Sequence, residues 1–156
     1  MGSGALLEVD ETFYDKHMNI NVKGPFFLTK LAAPLLPEGS GRVIFFSTSL
    51  THQDTVRPNN IVYVATKGAI EQITRTLAKD LGAKGITVNC VNPGPTDTPL
   101  FRTGRPEEQI QHIADLAPER RLGRPDDISP VVAFLASDGA RWVNGQIILL
   151  NGGFVV

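Results

Sequence analysis

One cysteine, Cys90, stands alone in 156 residues, which excludes an intrachain disulfide. Neither sign of charge is in excess. Fifteen Lys and Arg against sixteen Asp and Glu, with a pI near 6.3, offer no basic surface to a nucleic-acid backbone or an anionic bilayer. There is no apolar run of about 18 residues, and no basic segment followed by an apolar one marks a signal peptide. The three histidines, His17, His52 and His112, lie far apart without ligand-like spacing, so no metal is assigned. The expectation is a soluble, cytoplasmic protein whose partner is a small neutral or anionic molecule. With 42% hydrophobic and 20% charged residues, the chain reads as a single domain, 1–156, that buries about two thirds of its unfolded surface.

What is present alternates between helix and strand. From Asp10 as N-cap, a helical pattern runs through Phe13, His17, Asn21, Val22, Phe26 and Leu31 to about Leu35, with a kink expected at Pro25 where a backbone donor is lost. Val43 to Phe46 is a short, wholly apolar run that ends in Ser47, Thr48 and Ser49. A helix is expected from about Ile61 to Leu81, with Gly82 as its stop. Ile86 to Val91 reads as a second strand, closed by Asn92-Pro93-Gly94-Pro95, where two prolines argue against further pairing. A short helix is expected after Pro106 and another from Pro125-Asp126-Asp127, with Pro130 tolerable only within the first turn. Gln146 to Leu150 is a third strand.

Strands that are apolar throughout belong in a parallel sheet covered on both faces, which predicts a three-layer α/β/α fold. The expected spatial order is sequential, with the helices over 11–35 and 61–82 on one face. Ligands of such sheets sit at the carboxyl ends of the strands. The hydroxyl cluster after the first strand, the start of the 61–81 helix and the Pro93-Gly94 loop all fall on that edge.

Tyr63 and Lys67 lie on one face at the beginning of that helix. A neighbouring ammonium favours a phenolate, so Lys67 is expected to lower the Tyr63 pKa from its ordinary value of about 10 and make it a proton donor near neutral pH. Tyr14, the only other tyrosine, has Met18 at the same spacing and forms no such pair.

Several motifs in order carry a family resemblance: Asn21-Val22-Lys23-Gly24, the Ser/Thr cluster, Tyr63-x-x-x-Lys67, Val88-Asn89-x-x-Asn92-Pro93-Gly94, and Trp142-Val143-Asn144-Gly145-Gln146 before Asn151-Gly152-Gly153. From about Ala5 to Gly153 the chain resembles the short-chain dehydrogenase/reductases, most closely the fungal and bacterial reductases of ketoacyl or polyketide-like carbonyls. The resemblance implies a Rossmann-like doubly wound sheet, hydride transfer between NADP (or, in second place, NAD) and a carbonyl or secondary alcohol, and a homo-oligomer, dimer or tetramer. Ala65, Gly68 and Ala69 are small enough for close helix contact in such an assembly.

The resemblance also implies roles. Tyr63 donates the proton, Lys67 lowers its pKa and holds the nicotinamide ribose, and a hydroxyl polarises the carbonyl. The usual position of that hydroxyl, thirteen residues before the tyrosine, is Leu50 here. Counting along the strand selects Thr48; counting back with one inserted residue selects Ser49, which is preferred. Asn21 either joins a proton relay to the lysine or satisfies carbonyls freed at the kink. Pro93 and Gly94 bring backbone close to the nicotinamide, and Thr96 and Thr98 match positions used for the carboxamide and phosphates. Leu100, Phe101, Ile110, Ile113 and Leu116 suggest an apolar lid.

A glycine-rich turn after a first strand, where a pyrophosphate rests on a helix N-terminus, is missing. Gly2-Ser3-Gly4 has no preceding strand, and Gly39-Ser40-Gly41 precedes one. The expectation is an incomplete domain, matching the C-terminal part of a family domain of about 250 residues. It would act as the catalytic half of a reductase or, alternatively, as a catalytically silent product that works by association.

Overall fold

Three strands, β1 (Arg42–Phe46), β2 (Thr87–Pro93) and β3 (Ile147–Leu150), form one parallel sheet in the order β1-β2-β3, as the apolar runs predict. The computed structural model describes residues 2–156. Helices α1 (Glu11–Met18) and α2 (Gly24–Ala32) precede β1, α3 (Ile61–Gly82) joins β1 to β2, and α4 (Pro99–Arg102), α5 (Glu107–Asp115) and α6 (Pro125–Ala136) lie between β2 and β3. No helix among the described residues is long and apolar enough to cross a membrane.

Period-two alternation sorts the strand side chains onto two faces. Phe45, Val88 and Cys90 pack with Ile70, Ala78 and Leu81 of α3, joined by Ala33 and Leu36 from just beyond α2. Val91, Ile44 and Ile148 pack on the other face against Val131, Val132 and Leu135 of α6. The expected three layers are therefore present, with α2 and α3 on one side. Each fully buried aliphatic side chain in these clusters contributes about 1.5–3 kcal/mol.

The first helix keeps αR backbone at its junctions but changes its hydrogen bonding. Pro25 has no N–H to offer the Asn21 carbonyl, and the chain resolves this with a π turn over Asn19–Lys23, in which the Gly24 N–H reaches back five residues to the Asn19 carbonyl. Asp10 caps the helix as expected, accepting from Phe13 N–H at 2.7 Å. The helix α3 ends at Gly82 as expected, and the reversal that follows it falls at Gly85 (φ +68°), where a Cβ would lie 2.7 Å from Gly39 Cα.

Three further expectations are corrected. β2 continues through Asn92 and Pro93, which pair with Leu149 and Leu150. The even residues Cys90 and Gly94 donate to the β3 side, at Gln146 and Leu150, so the donor that Pro93 lacks would face the other side, beyond the end of β1. Pro130 lies inside α6, past its first turn, and is tolerated because the Asp126 carbonyl it leaves free is on the exposed side. The segment after β2 also contains α4, which the two prolines obscured in the sequence; Thr98 caps it, accepting from Phe101 N–H at 3.1 Å.

Candidate active site

Parallel strands end together, so Ser47, Thr48 and Ser49 after β1 and Gly94 after β2 share one edge of the sheet, where Ser47 Oγ donates to the Lys67 carbonyl of α3 at 3.3 Å. Tyr63 is half-buried there, and the Lys67 ammonium lies 5.8 Å from the centre of its ring. The ammonium donates to the Phe46 carbonyl at 2.9 Å. The electrostatics differ from the sequence expectation. Burial holds the Tyr63 phenol above its ordinary pKa, with a Thr48 side-chain hydrogen bond drawing it partly back. Burial likewise pulls Lys67 below its ordinary value. Desolvation is the largest influence on both groups, which are partly withdrawn from water on the same helix face.

The two candidate hydroxyls separate clearly. Ser49 is buried and its Oγ donates to the Asn92 carbonyl at 3.1 Å. Thr48 accepts weakly from Leu50 N–H at 3.4 Å and is the hydroxyl that faces the Tyr63 phenol. Asn21 is buried at the π turn; its Nδ2 donates to Thr66 Oγ1 at 3.1 Å, and Thr66 donates in turn to the Tyr63 carbonyl at 2.7 Å. Its amide nitrogen thus braces the turn of α3 that carries Tyr63 and Lys67, instead of serving a freed helix carbonyl.

Glycine at 94 has a reason within the protein itself: a Cβ would come to 2.8 Å of Asn151 Cβ and 2.9 Å of Asn151 Cα. Thr96 Oγ1 donates back to the Gly94 carbonyl at 2.9 Å, and Thr98 is the α4 cap. Neither threonine is drawn to Tyr63 by these bonds. Among the lid residues, Ile110 is buried with Ala114 and Leu122, and Phe101 and Ile113 pack on them. Only Leu100 and Leu116 remain broadly exposed. A cavity of about 320 Å³ between Gly94, Ile113, Leu122 and Asn151 excludes Tyr63 and Lys67.

Sequence reasoning missed the group beneath the site. Glu71, one turn after Lys67 and buried, accepts through Oε1 from Ser47 Oγ (2.8 Å), Thr51 Oγ1 (2.6 Å) and Asn92 Nδ2 (2.6 Å). A carboxylate at a position inside the apolar stripe of α3 was the signal available. Cys90 lies alongside, with Sγ donating to Asn92 Oδ1 at 3.5 Å. Burial, reinforced by the Glu71 charge, pushes its thiol up to about 11 from 9.0. The folded protein keeps that proton where the unfolded chain has lost it, so this contribution to stability is intact below pH 9 and disappears as pH rises through about 11. Native chain at pH 8 is expected to show no reaction with a disulfide reagent such as Ellman's, and one thiol per chain after denaturation; rapid native labelling would contradict the burial.

A parallel α/β sheet with a tyrosine, a lysine one helical turn on and a hydroxyl gathered at its carboxyl edge defines a doubly wound protein with its ligand edge built around α3. The family model described as enoyl-(acyl carrier protein) reductase matches residues 2–155, and the chain belongs to the short-chain dehydrogenase/reductase family. It is 43% identical over 143 residues to the Arabidopsis thaliana NADPH-dependent aldehyde reductase-like protein, chloroplastic, covering 91% of this chain and 52% of that protein. A short-chain type dehydrogenase/reductase of Picea abies is 39% identical over 151 residues, 96% of this chain and 55% of that protein. Among solved structures, the angucycline C-6 ketoreductase LanV with bound NADP superposes with a TM-score of 0.88 at 39% identity, covering 99% of this chain and 58% of that one. The chain spans about half the length of the curated relatives it matches, in their C-terminal part.

Proposed function

We propose that the site serves NADPH-dependent reduction of a carbonyl compound, with Tyr63 as acid, Thr48 as the polarising hydroxyl and Lys67 as the group that holds the nicotinamide ribose. The observation that carries this reading is the placement of Thr48 and Lys67 about one half-buried phenol at the carboxyl edge. The donor set suits the nicotinamide end of the cofactor. The described residues include no glycine-rich turn that leads from a strand into a helix N-terminus, so nothing here fits the pyrophosphate. NADPH is favoured as cofactor because the Arabidopsis relative is named as NADPH-dependent and LanV was solved with NADP. When bound, the cofactor supplies a hydride to the carbonyl carbon.

The protein's own part is the proton and the charge. A phenol raised above its ordinary pKa stays protonated through neutral and mildly alkaline pH, which is the form a proton donor needs. Thr48 Oγ1, free of a strong acceptor, can donate to the same oxygen while charge builds there. Asn21 and Glu71 act through others, Asn21 by bracing the Tyr63 turn and Glu71 by fixing the strand ends. Pro93, Gly94, Thr96 and Thr98 shape the neighbouring wall where the nicotinamide would lie.

The discriminating experiment uses this chain joined to the N-terminal portion that its Arabidopsis relative carries before the matched region. Thr48→Ala is expected to lower kcat for aldehyde and ketone reduction about 100-fold, and Ser49→Ala much less than that. The reverse order would return the role to Ser49. Reduction of an enoyl thioester in preference to any carbonyl would overturn the substrate class.

A further inference from the structure

The Thr48 hydroxyl takes its direction from the backbone. Apart from the Tyr63 phenol that it faces, its partner is Leu50 N–H, at the long distance of 3.4 Å. A β-branched side chain has few rotamers, so the frame at Cα decides where Oγ1 lies. That frame is held on both sides. Before it, Ser47 N–H donates to the Val91 carbonyl at 2.9 Å and Ser47 Oγ donates to Glu71. After it, the Thr48 carbonyl accepts from Thr51 Oγ1 at 2.7 Å and from Asn92 Nδ2 at 3.1 Å. One residue on, Ser49 Oγ donates to the Asn92 carbonyl. Asn92 therefore grips the segment twice, with its side chain at Thr48 and its backbone at Ser49.

Asn92 is wholly buried near the end of β2, and its amide can sit only one way round. Nδ2 lies 2.6 Å from Glu71 Oε1 and 3.1 Å from the Thr48 carbonyl, a carboxylate and a carbonyl that both accept, while Oδ1 accepts from Cys90 Sγ at 3.5 Å. Glu71 thus orients the amide, and the amide holds Thr48. Aspartate at 92 would keep the shape but put an oxygen where the nitrogen is, 3.1 Å from the Thr48 carbonyl oxygen, so that two acceptors face each other.

We propose that Asn92 is a positioning residue for carbonyl reduction: its bond to the Thr48 carbonyl sets the direction of the polarising hydroxyl, and Glu71 holds the amide in place. The inference rests on the reading of Thr48 as that hydroxyl and deepens it. A donor turned away from the oxygen on which charge builds loses its effect in the transition state, so the loss falls on kcat and not on cofactor binding.

Two measurements test it. In the 156-residue chain with labelled threonine methyls, Asn92→Asp is expected to shift the Thr48 methyl resonance well beyond those of Thr29 and Thr76, which lie on α2 and α3 away from Asn92. In the chain joined to the N-terminal portion of the Arabidopsis relative, Asn92→Asp is expected to lower kcat about 30-fold and to change NADPH affinity less than about threefold. Where Thr48 is already alanine, Asn92→Asp should lower kcat less than about threefold further, because it acts through the hydroxyl that is gone. Glu71→Gln combined with Asn92→Asp exchanges carboxylate and amide. The two side chains can bond again, and Ser47 and Thr51 keep the Lys67 and Thr48 carbonyls as acceptors. The thermal midpoint of the double variant should therefore lie within about 3 °C of the native one, while kcat stays at least about tenfold low and the Thr48 methyl stays displaced, because an oxygen still faces the Thr48 carbonyl. Should Asn92→Asp alone not fold, the double variant carries both readouts, since it holds the same single carboxylate as the native pair. An unmoved Thr48 methyl, a kcat that returns together with the thermal midpoint, or equal kcat losses with and without the Thr48 hydroxyl would each overturn the proposal. Thr48→Ala without effect on kcat would instead overturn the reading on which the proposal rests, and a Thr48 methyl that still moves with Asn92 would tell the two failures apart.

Discussion

Tyr63→Phe, in the chain joined to the N-terminal portion of its Arabidopsis relative, is expected to reduce carbonyl turnover at least about 100-fold while NADPH affinity changes by less than about threefold. The substitution removes one oxygen and leaves the ring that Lys67 overhangs, so it deletes the donor and little contact area. The unmodified protein should in addition keep its reductive rate through neutral pH and lose it only in the alkaline range. The phenol is held above its ordinary value by burial, and the rate falls as the donor ionises. Turnover close to that of the unmodified protein in the Phe variant would show that the proton arrives from elsewhere. A rate already lost as pH rises through neutrality would show that Lys67, not burial, governs the phenol.

The second large effect concerns stability and needs only the chain itself. Glu71→Ala removes the charged acceptor shared by Ser47, Thr51 and Asn92 and leaves these donors the carbonyls of Lys67 (3.3 Å) and Thr48 (2.7 and 3.1 Å). A hydrogen bond to a charged group contributes about 1.5–3 kcal/mol, and the remaining acceptors and entering water restore part of the three, so a loss of about 3 kcal/mol in urea unfolding is expected. Glu71→Gln keeps an acceptor oxygen in the same place and should lose about 1–2 kcal/mol. Equal losses for the two variants would mean that the carboxylate's charge matters more than the bonds it accepts. The Ala variant should also loosen the Ser47–Thr51 segment, since Glu71 joins it to Asn92 on the neighbouring strand.

Much of the architecture was legible because it depends on local chemistry. The apolar runs at Val43–Phe46, around Val88–Val91 and at Ile147–Leu150 can be buried only in a sheet covered on both faces, and the observed parallel order follows from their crossovers. Asp10, the stripe of α3 and the helix after Pro106 were read from capping and period for the same reason. Pro93 and Pro130 were misplaced because the cost of a proline depends on which side its missing N–H would face, and that is a property of the assembled ladder or helix.

By itself the sequence determined the fold class, the family and the positions of Tyr63 and Lys67, because these rest on period, spacing and motif order along one chain. Tertiary structure alone sets Thr48 and Ser49 apart, since Thr48 is the extended residue before a 3-10 turn and Ser49 the first residue within it, and the two side chains meet different partners, Tyr63 and the Asn92 carbonyl. It also decided the sense of the Tyr63 shift, because burial is a sum over residues distant in sequence while the lysine is a neighbour visible at once. Glu71 shows the same division. Its carboxylate is plain in the sequence, but the three donors that make it a structural centre come from Ser47, Thr51 and Asn92, which meet it only when β1, β2 and α3 have packed.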